Sequence, residues 1–542
     1  MLSGGPPRNV LAVLLFGMLP LAAAARAQPV CPDAGALIGR ITIERVDVFD
    51  AGGAGLTARL NRTANAIHVR TRERVVSREL LFREGEPCQS EALAQTERNL
   101  RALGLFQEVD VVPAKAPDGR INVLVWVQDA WSLRITGRYQ RAGGVPAWDL
   151  GLTEANIAGQ GVAAGVRRRE AFDADVTTGW LEERRLLGSR ERLAAFVDDR
   201  SDGHAFAASI SRPFYALDTR WAHDLSFAET RDVLRIYQDG DLAAAHDRRV
   251  AEIVAGFSAR LTTPTPTTVW RLGAGYRFAA QEYPASAREE RLDPDAPITH
   301  RWAGPYASLQ FTEHRFLTCT GLVVPGRDVD VNLGTQADVG VFFSPRVGAW
   351  HTTSRVALGA TVSRGWRLPG AGVFVARAAA TALTAGGETA RAGVSGSARA
   401  WWQLSSTHVL TAGGEAQASI RPEPGYRVYL GGSPGLKGYG ERAFQGTRSA
   451  LFTVEDRAYA AWTPAGLVQF GAAAFIEAGA VGGDAVTSGR GRVLVDAGIG
   501  LRVATLRSSA NGTIRIDVAY PLTRPPDGRR HAQLVIGYRN DF

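Results

Sequence analysis

Between Trp131 and Phe542 the chain has almost no helical periodicity; apolar and polar residues alternate with a period of two. In residues 271–278 (RLGAGYRF), Leu272, Ala274, Tyr276 and Phe278 share one face, with Arg271 and Arg277 on the other. In residues 513–520 (TIRIDVAY), Ile514, Ile516, Val518 and Tyr520 oppose Thr513, Arg515 and Asp517. The final stretch sets Leu534, Ile536, Tyr538 and Phe542 against Gln533 and Arg539. Lipid satisfies no backbone group, so strands cross it only as a closed barrel with apolar residues outward. A soluble sandwich alternates too, but the length of the segment and its terminal aromatic favour the barrel. The content of 60 Gly, 12 Trp and 12 Tyr against 2 Met suits a large β protein with aromatic girdles. The charged or Pro-rich runs 286–297 and 524–530 read as loops.

The N-terminus reads as a secretory signal over residues 1–27. Arg8 is its positive end, residues 10–25 its apolar core, and Ala25-Arg26-Ala27 its small-x-small cleavage site, so the mature chain is expected to start at Gln28. A membrane anchor is the other reading; the run is short for one and contains Pro20. In an oxidising compartment a Cys31–Cys88 disulfide is permitted, although spacing does not decide it, and Cys319 is left over. The formal charge of +8 comes with arginines scattered singly along strands, which argues against a nucleic-acid partner.

Residues 28–130 read as a small α+β unit in the order β-α-α-β-β. Ile41, Ile43, Val46 and Val48 mark the first strand. Residues 72–83 are expected to be a helix capped by Thr71, with Val76, Leu80 and Leu81 inward. A second helix is expected after Ser90, with Leu93, Leu100 and Leu103 on one face and Gly104 at its end. Strands 108–112 and 121–127 follow, joined through Pro117-Asp118-Gly119. The Gly-rich segment Asp50–His68 has no assignment.

Residues 431–457 (GGSPGLKGYGERAFQGTRSALFTVEDR) hold a glycine-studded loop around Leu436-Lys437-Gly438-Tyr439. Gly431-Gly432-Ser433-Pro434-Gly435 matches G-x-S-x-G in form only. A nucleophile elbow needs an N–H donor after the serine, and Pro434 has none. The sequence GQGVAAG at 159–165 misses the dinucleotide fingerprint, and the nine His form no H-E-x-x-H pair. Neither an enzyme nor a cofactor or metal site is expected.

The loop and the closing aromatic strand together resemble the BamA/TamA family of outer-membrane assembly barrels. Three further segments share the likeness: VDAGIGLR (495–502), RIDVAYPL (515–522) and Asn156–Gly161, which suits the first barrel turn. The N-terminal unit, with LLFREGEP, TERNLRALGLFQEVDV and DGRINVLVWVQD in order, resembles one polypeptide-transport-associated (POTRA) domain. The resemblance implies a 16-stranded antiparallel barrel over 131–542 in the outer membrane, with the N-terminal domain in the periplasm. It implies that the long sixth extracellular loop folds into the lumen, where its arginine pairs with an aspartate in a Phe-x-Asp context. Here the arginine is Lys437 and the aspartate is Glu477, in Phe475-Ile476-Glu477. Glu455 and Asp456 are competing acceptors, and a solvated loop lysine is the bland alternative. The terminal Gly537, Tyr538 and Phe542 would be the signal by which the barrel is itself assembled.

The function so implied is insertion of β-barrel clients: strand capture by the POTRA unit, then templating at a seam between strands near Trp131–Gln140 and Gln533–Phe542. The partners implied are the lipid bilayer, unfolded outer-membrane proteins, and an accessory protein of the periplasm or inner membrane. The alternatives are a translocation pore for a secreted protein or lipid, and a passive porin-like barrel.

Overall fold

The computed structural model describes residues 25–542 apart from 53–54, 143–144, 171–173, 239–240, 266, 285–298, 348–353, 386–387, 423–425, 433–434, 484–490, 510–511, 526–527, 529 and 540–542. Residues 1–24 of the leader expected over 1–27, the loop expected at 286–297 and Phe542 therefore lie outside the described residues.

The dominant element is a closed antiparallel barrel of 20 strands, from Leu133–Ala142 to Gln533–Arg539. This corrects the expected 16. The difference comes with short strands: Val162–Glu170, Asp175–Glu183, Arg192–Arg200 and Gly203–Arg212 are nine or ten residues each, so that four fit within residues 162–212. Alternation sets the faces. Arg515 and Asp517 are buried inside, whereas Ile514, Val518 and Tyr520 stand on the exterior. Ile499 (69 % exposed), Val339, Tyr276 and Phe257 extend that apolar exterior around the barrel. A surface this apolar and continuous belongs against lipid.

Ahead of the barrel lies a three-stranded sheet. Its central strand Ile121–Asp129 runs parallel to Ile38–Val46 and antiparallel to Phe106–Lys115. Three helices accompany it: α1 (Leu56–Ile67), α2 (Glu73–Ser77) and α3 (Ser90–Ala102). The expected β-α-α-β-β order thus gains a helix, because α1 forms in the segment that carried no assignment. The helix expected at 72–83 is only the short α2, and neither cap acts as expected. The Thr71 hydroxyl accepts from Asn156 Nδ2 at 2.8 Å, and the Ser90 hydroxyl accepts from the Cys31 N–H at 3.0 Å. Both side chains are committed to tertiary partners. Val75, Val76, Leu93 and Leu100 pack against Val109, Val111, Val123 and Val125. Fully burying each such side chain contributes about 1.5–3 kcal/mol, so Leu93→Ala would cost about 2–5 kcal/mol. Cys31 and Cys88 are bonded, with Cα atoms 6.1 Å apart, and tie the N-terminal segment to the start of α3.

The small domain grips the first barrel turns on its side. The Arg72 N–H donates to Gly159 O at 2.9 Å, and Arg185 Nε donates to Glu79 Oε1 at 2.6 Å. Gly159 has φ +69°, and a Cβ there would sit 2.4 Å from Arg70 O, so the turn requires glycine.

One element escaped the sequence reading. The connection between the tenth and eleventh barrel strands forms a hairpin, Phe316–Thr320 with Asp328–Asn332, on the small-domain side. Its Leu317, Cys319 and Val331 pack on Val373, Trp401 and Val409. Its tip carries Val323 and Val324 across to Tyr459 and Ala504, on the sixteenth and eighteenth strands. The hairpin is thus a floor laid across the mouth of the barrel. From below, Arg101 of α3 makes a two-pronged ion pair with Asp330 (2.8 and 2.9 Å), and the Arg98 guanidinium lies 4.4 Å over the Phe316 ring.

Candidate functional site: the inward loop and the barrel seam

The glycine-studded loop joins the fifteenth strand, His408–Ile420, to the sixteenth, Arg448–Tyr459. It is the eighth connection on the side away from the small domain, not the sixth, because the barrel has four more strands than expected. Five strands follow it to the end of the chain. Val428–Leu430 and Phe444–Gly446 pair as a short ladder that carries the tip into the lumen. Leu436 is fully buried at φ +61°, a left-handed conformation that leucine adopts only when its surroundings impose it. Those surroundings are Leu430, Tyr439, Phe444, Leu451 and Leu494. Gly435, at φ +148°, lies against Leu451, where a Cβ would come within 2.2 Å of its Cδ2.

Each tip residue has a specific contact. Lys437 Nζ lies 3.1 Å from Glu477 Oε1, and the Lys437 backbone N–H donates to Glu477 Oε2 at 2.9 Å. One residue therefore supplies two donors to both oxygens of one carboxylate. The fork that a guanidinium would offer is rebuilt from an ammonium and a main-chain amide. The ammonium also lies 3.6 Å from Asp517 Oδ2 and 3.9 Å from the centre of the Phe475 ring. The Gly438 N–H donates to Asp496 Oδ2 at 2.7 Å. Its glycine is needed for close approach: a Cβ would come within 2.8–2.9 Å of Asp496 Cβ, Pro521 N and the Tyr520 carbonyl carbon. The Tyr439 hydroxyl is 2.9 Å from Val495 O and 3.0 Å from Thr523 O, sharing its proton between them.

The lumen wall explains why the tip is held. Glu477 and Asp496 are cross-strand partners, two buried carboxylates side by side. Like charges at that spacing repel, and the tip answers with one cation and two amide N–H groups. Next to them Glu455 takes Arg457 (2.9 Å), Arg502 (3.1 Å) and Arg515 (3.1 Å), and Arg502 reaches Asp517 at 2.5 Å. Glu455 is thus engaged by arginines rather than by the direct lysine contact it was weighed for. Asp456 faces outward and pairs with His408 at 2.6 Å, so it stands outside the lumen. Asp496 and Asp517 were not singled out from sequence. The signal was present, since each is an acidic residue at an inward position of an alternating strand that also carries an inward arginine, Arg502 or Arg515.

The barrel closes where Gln533–Arg539 meets Leu133–Ala142. Described register partners run only from Leu534 opposite Arg141 to Gly537 opposite Arg138. The preceding pair runs from Ala519 opposite Gln533 to Thr513 opposite Arg539. Gly537 therefore sits in the seam itself. Tyr538 lies just beyond, its ring over Gly512, where a Cβ would come within 2.3 Å of it.

No family model and no curated protein matches the chain. Among solved structures, BamA from Haemophilus ducreyi lacking POTRA domains 1-3 aligns at 12 % identity and TM-score 0.37, over 92 % of this chain and 84 % of that one. CdiB from Escherichia coli aligns at 12 % and 0.46 over 92 % and 76 %, and CdiB from Acinetobacter baumannii at 11 % and 0.45 over 93 % and 74 %. The FrpB iron transporter from Neisseria meningitidis aligns at 8 % and 0.38 over 96 % of each chain. At such values the functional reading has to come from the residues themselves.

Proposed function

We propose that this chain is an outer-membrane assembly barrel of the BamA/TamA kind, which inserts β-barrel clients through its seam. The observation that carries this reading is the seam, with four register pairs among the described residues, beside a loop pinned to the seventeenth to nineteenth strands. A closed sheet loses least by parting where its ladder is shortest, and a parted seam offers two unpaired edges to an incoming strand. Burial of apolar client strands in lipid drives insertion, so neither nucleotide nor cofactor is required. In this reading the small domain is a POTRA unit in the periplasm that collects unfolded clients or an accessory protein, and the C-terminal strand with Tyr538 and Phe542 guides the barrel's own assembly. The chain carries no catalytic role.

Purified protein in liposomes with an unfolded outer-membrane protein tests this, with client folding followed by its heat-modifiable migration. The comparison is Tyr139→Cys/Ile536→Cys, a cross-seam pair in register. Acceleration by the native chain, lost on oxidation of the pair and regained on reduction, is expected. Folding no faster than in empty liposomes would sink the proposal.

A translocation pore is the second reading. It is favoured by a lumen cavity of about 1020 Å³ lined by Glu252, Arg277, Tyr306, Asp338 and Arg355. For that role the floor hairpin has to move, and conductance across a planar bilayer would report it.

A further inference from the structure

Arg26 sits where the small domain meets the floor hairpin. Ala25 and Arg26 pair antiparallel with the outer edge of Phe316–Thr320, Ala25 opposite Cys319 and Arg26 opposite Thr318. Arg26 Nη1 lies 2.5 Å from Asp328 Oδ2 and 3.7 Å from Glu108 Oε1, and Nη2 is bonded to Asp110. Glu108 and Asp110 belong to the small domain and Asp328 to the hairpin, so one guanidinium bridges the two bodies. Two residues on, Gln28 Nε2 donates to Phe316 O at 3.1 Å, continuing along the same edge.

These two residues also belong to the expected cleavage site Ala25-Arg26-Ala27. Cutting after Ala27 removes both the pairing strand and its cation. What remains is a strand edge open at Thr318 and Cys319, with Gln28 still on Phe316, beside carboxylates of two separate bodies at the entrance to the barrel. An open edge accepts any extended chain through backbone hydrogen bonds. The carboxylates add a selection: a planar guanidinium can bridge Asp110 and Asp328 from one position, whereas an ammonium is a single point charge.

We propose that in the processed protein this edge docks an extended, arginine-bearing segment of the polypeptide that the barrel handles, and that Ala25–Arg26 fill the place in the unprocessed chain. The identity of the occupant rests on the assembly-barrel reading; the site itself does not. It lies on the barrel's floor hairpin, apart from the sheet of the small domain.

The test uses the processed full-length protein in nanodiscs and a fluorescein-labelled peptide of residues 23–30 (AAARAQPV), read by anisotropy. Saturable binding is expected, weakened at least about tenfold by Asp110→Asn/Asp328→Asn, by Arg→Gln in the peptide, or by backbone N-methylation at that arginine. The peptide changes leave the protein untouched and decide the matter if the double variant does not fold. Absence of saturable binding, or equal affinity for the double variant, overturns the proposal. So does intact mass showing that Arg26 is retained. Binding that appears only after deletion of residues 28–30 would assign the edge to the chain's own new terminus and also overturn it. Peptide binding without accelerated client folding in liposomes would keep the site and remove the insertase.

Discussion

Replacing Lys437 by methionine keeps the side-chain stem and removes the charge. Around it the buried carboxylates Glu455, Glu477, Asp496 and Asp517 face Lys437, Arg457, Arg502 and Arg515, so the change leaves an uncompensated negative charge beside Glu477 and Asp517. Breaking a sealed ion pair costs about 3–5 kcal/mol. This pair borders a cavity of about 490 Å³ that admits water, which screens part of the loss. The Lys437 N–H bond to Glu477 also survives the substitution. We therefore expect about 2–3 kcal/mol from Lys437→Met, read as the urea midpoint of the barrel in lipid vesicles by tryptophan fluorescence. Glu477→Gln keeps an acceptor for that N–H and removes the matching charge. The double variant should recover about 1–2 kcal/mol relative to the sum of the singles. Protease cleavage of the loop in Lys437→Met should rise in step. If the two substitutions add within about 0.5 kcal/mol and the loop remains resistant, the lysine does not hold the tip.

Reducing the Cys31–Cys88 bond reopens a 57-residue separation, worth about 4 kcal/mol by chain entropy; limited proteolysis should then attack the small domain while the barrel keeps its folded migration. Burial pushes the Cys319 thiol up to about 11. Maleimide at pH 8 should leave it unlabelled, and Arg101→Ala, which removes the ion pair with Asp330, should speed labelling if the floor hairpin depends on that pair. Burial, then Arg98 and Arg271, lowers His314 from 6.5 to about 4. The ring is neutral in both states above pH 6.5. Between 6.5 and about 4 only the unfolded chain takes the proton, so stability falls as pH falls, by at most about 3 kcal/mol. His314→Gln should flatten that part of a stability–pH curve, and an unchanged slope would refute the assignment.

The sequence was legible where one side-chain period governs one face. TIRIDVAY and RLGAGYRF lie in barrel strands with the faces their alternation implies. Strand number was not legible, because an average length per strand hides the compressed run from Val162 to Arg212. The floor hairpin was hidden for a related reason. FLTCT and DVDVN alternate as barrel strands do, and only partner choice reveals that they leave the wall. At the loop, the residue types that meet could be named from their chemistry. The main-chain share of the contact could not: the Lys437 and Gly438 amides carry no side-chain signature, and they take half of the grip on Glu477 and all of that on Asp496.

The two margins of the seam are held in different ways. On the C-terminal margin the loop tip cross-braces the seventeenth to nineteenth strands through Glu477, Asp496 and Asp517. On the N-terminal margin the turns at Gly159 and Arg185 are held by the small domain. Between them runs a narrow strap: the Trp131 N–H to Arg507 O, the Ser509 N–H to Trp131 O, and Arg507 Nη1 to Gln107 Oε1 at 2.8 Å. If the seam parts as proposed, a rotation of the small domain would act as torque on the N-terminal margin while the loop braces the strands behind the other. The strap would then set how much of that torque becomes separation.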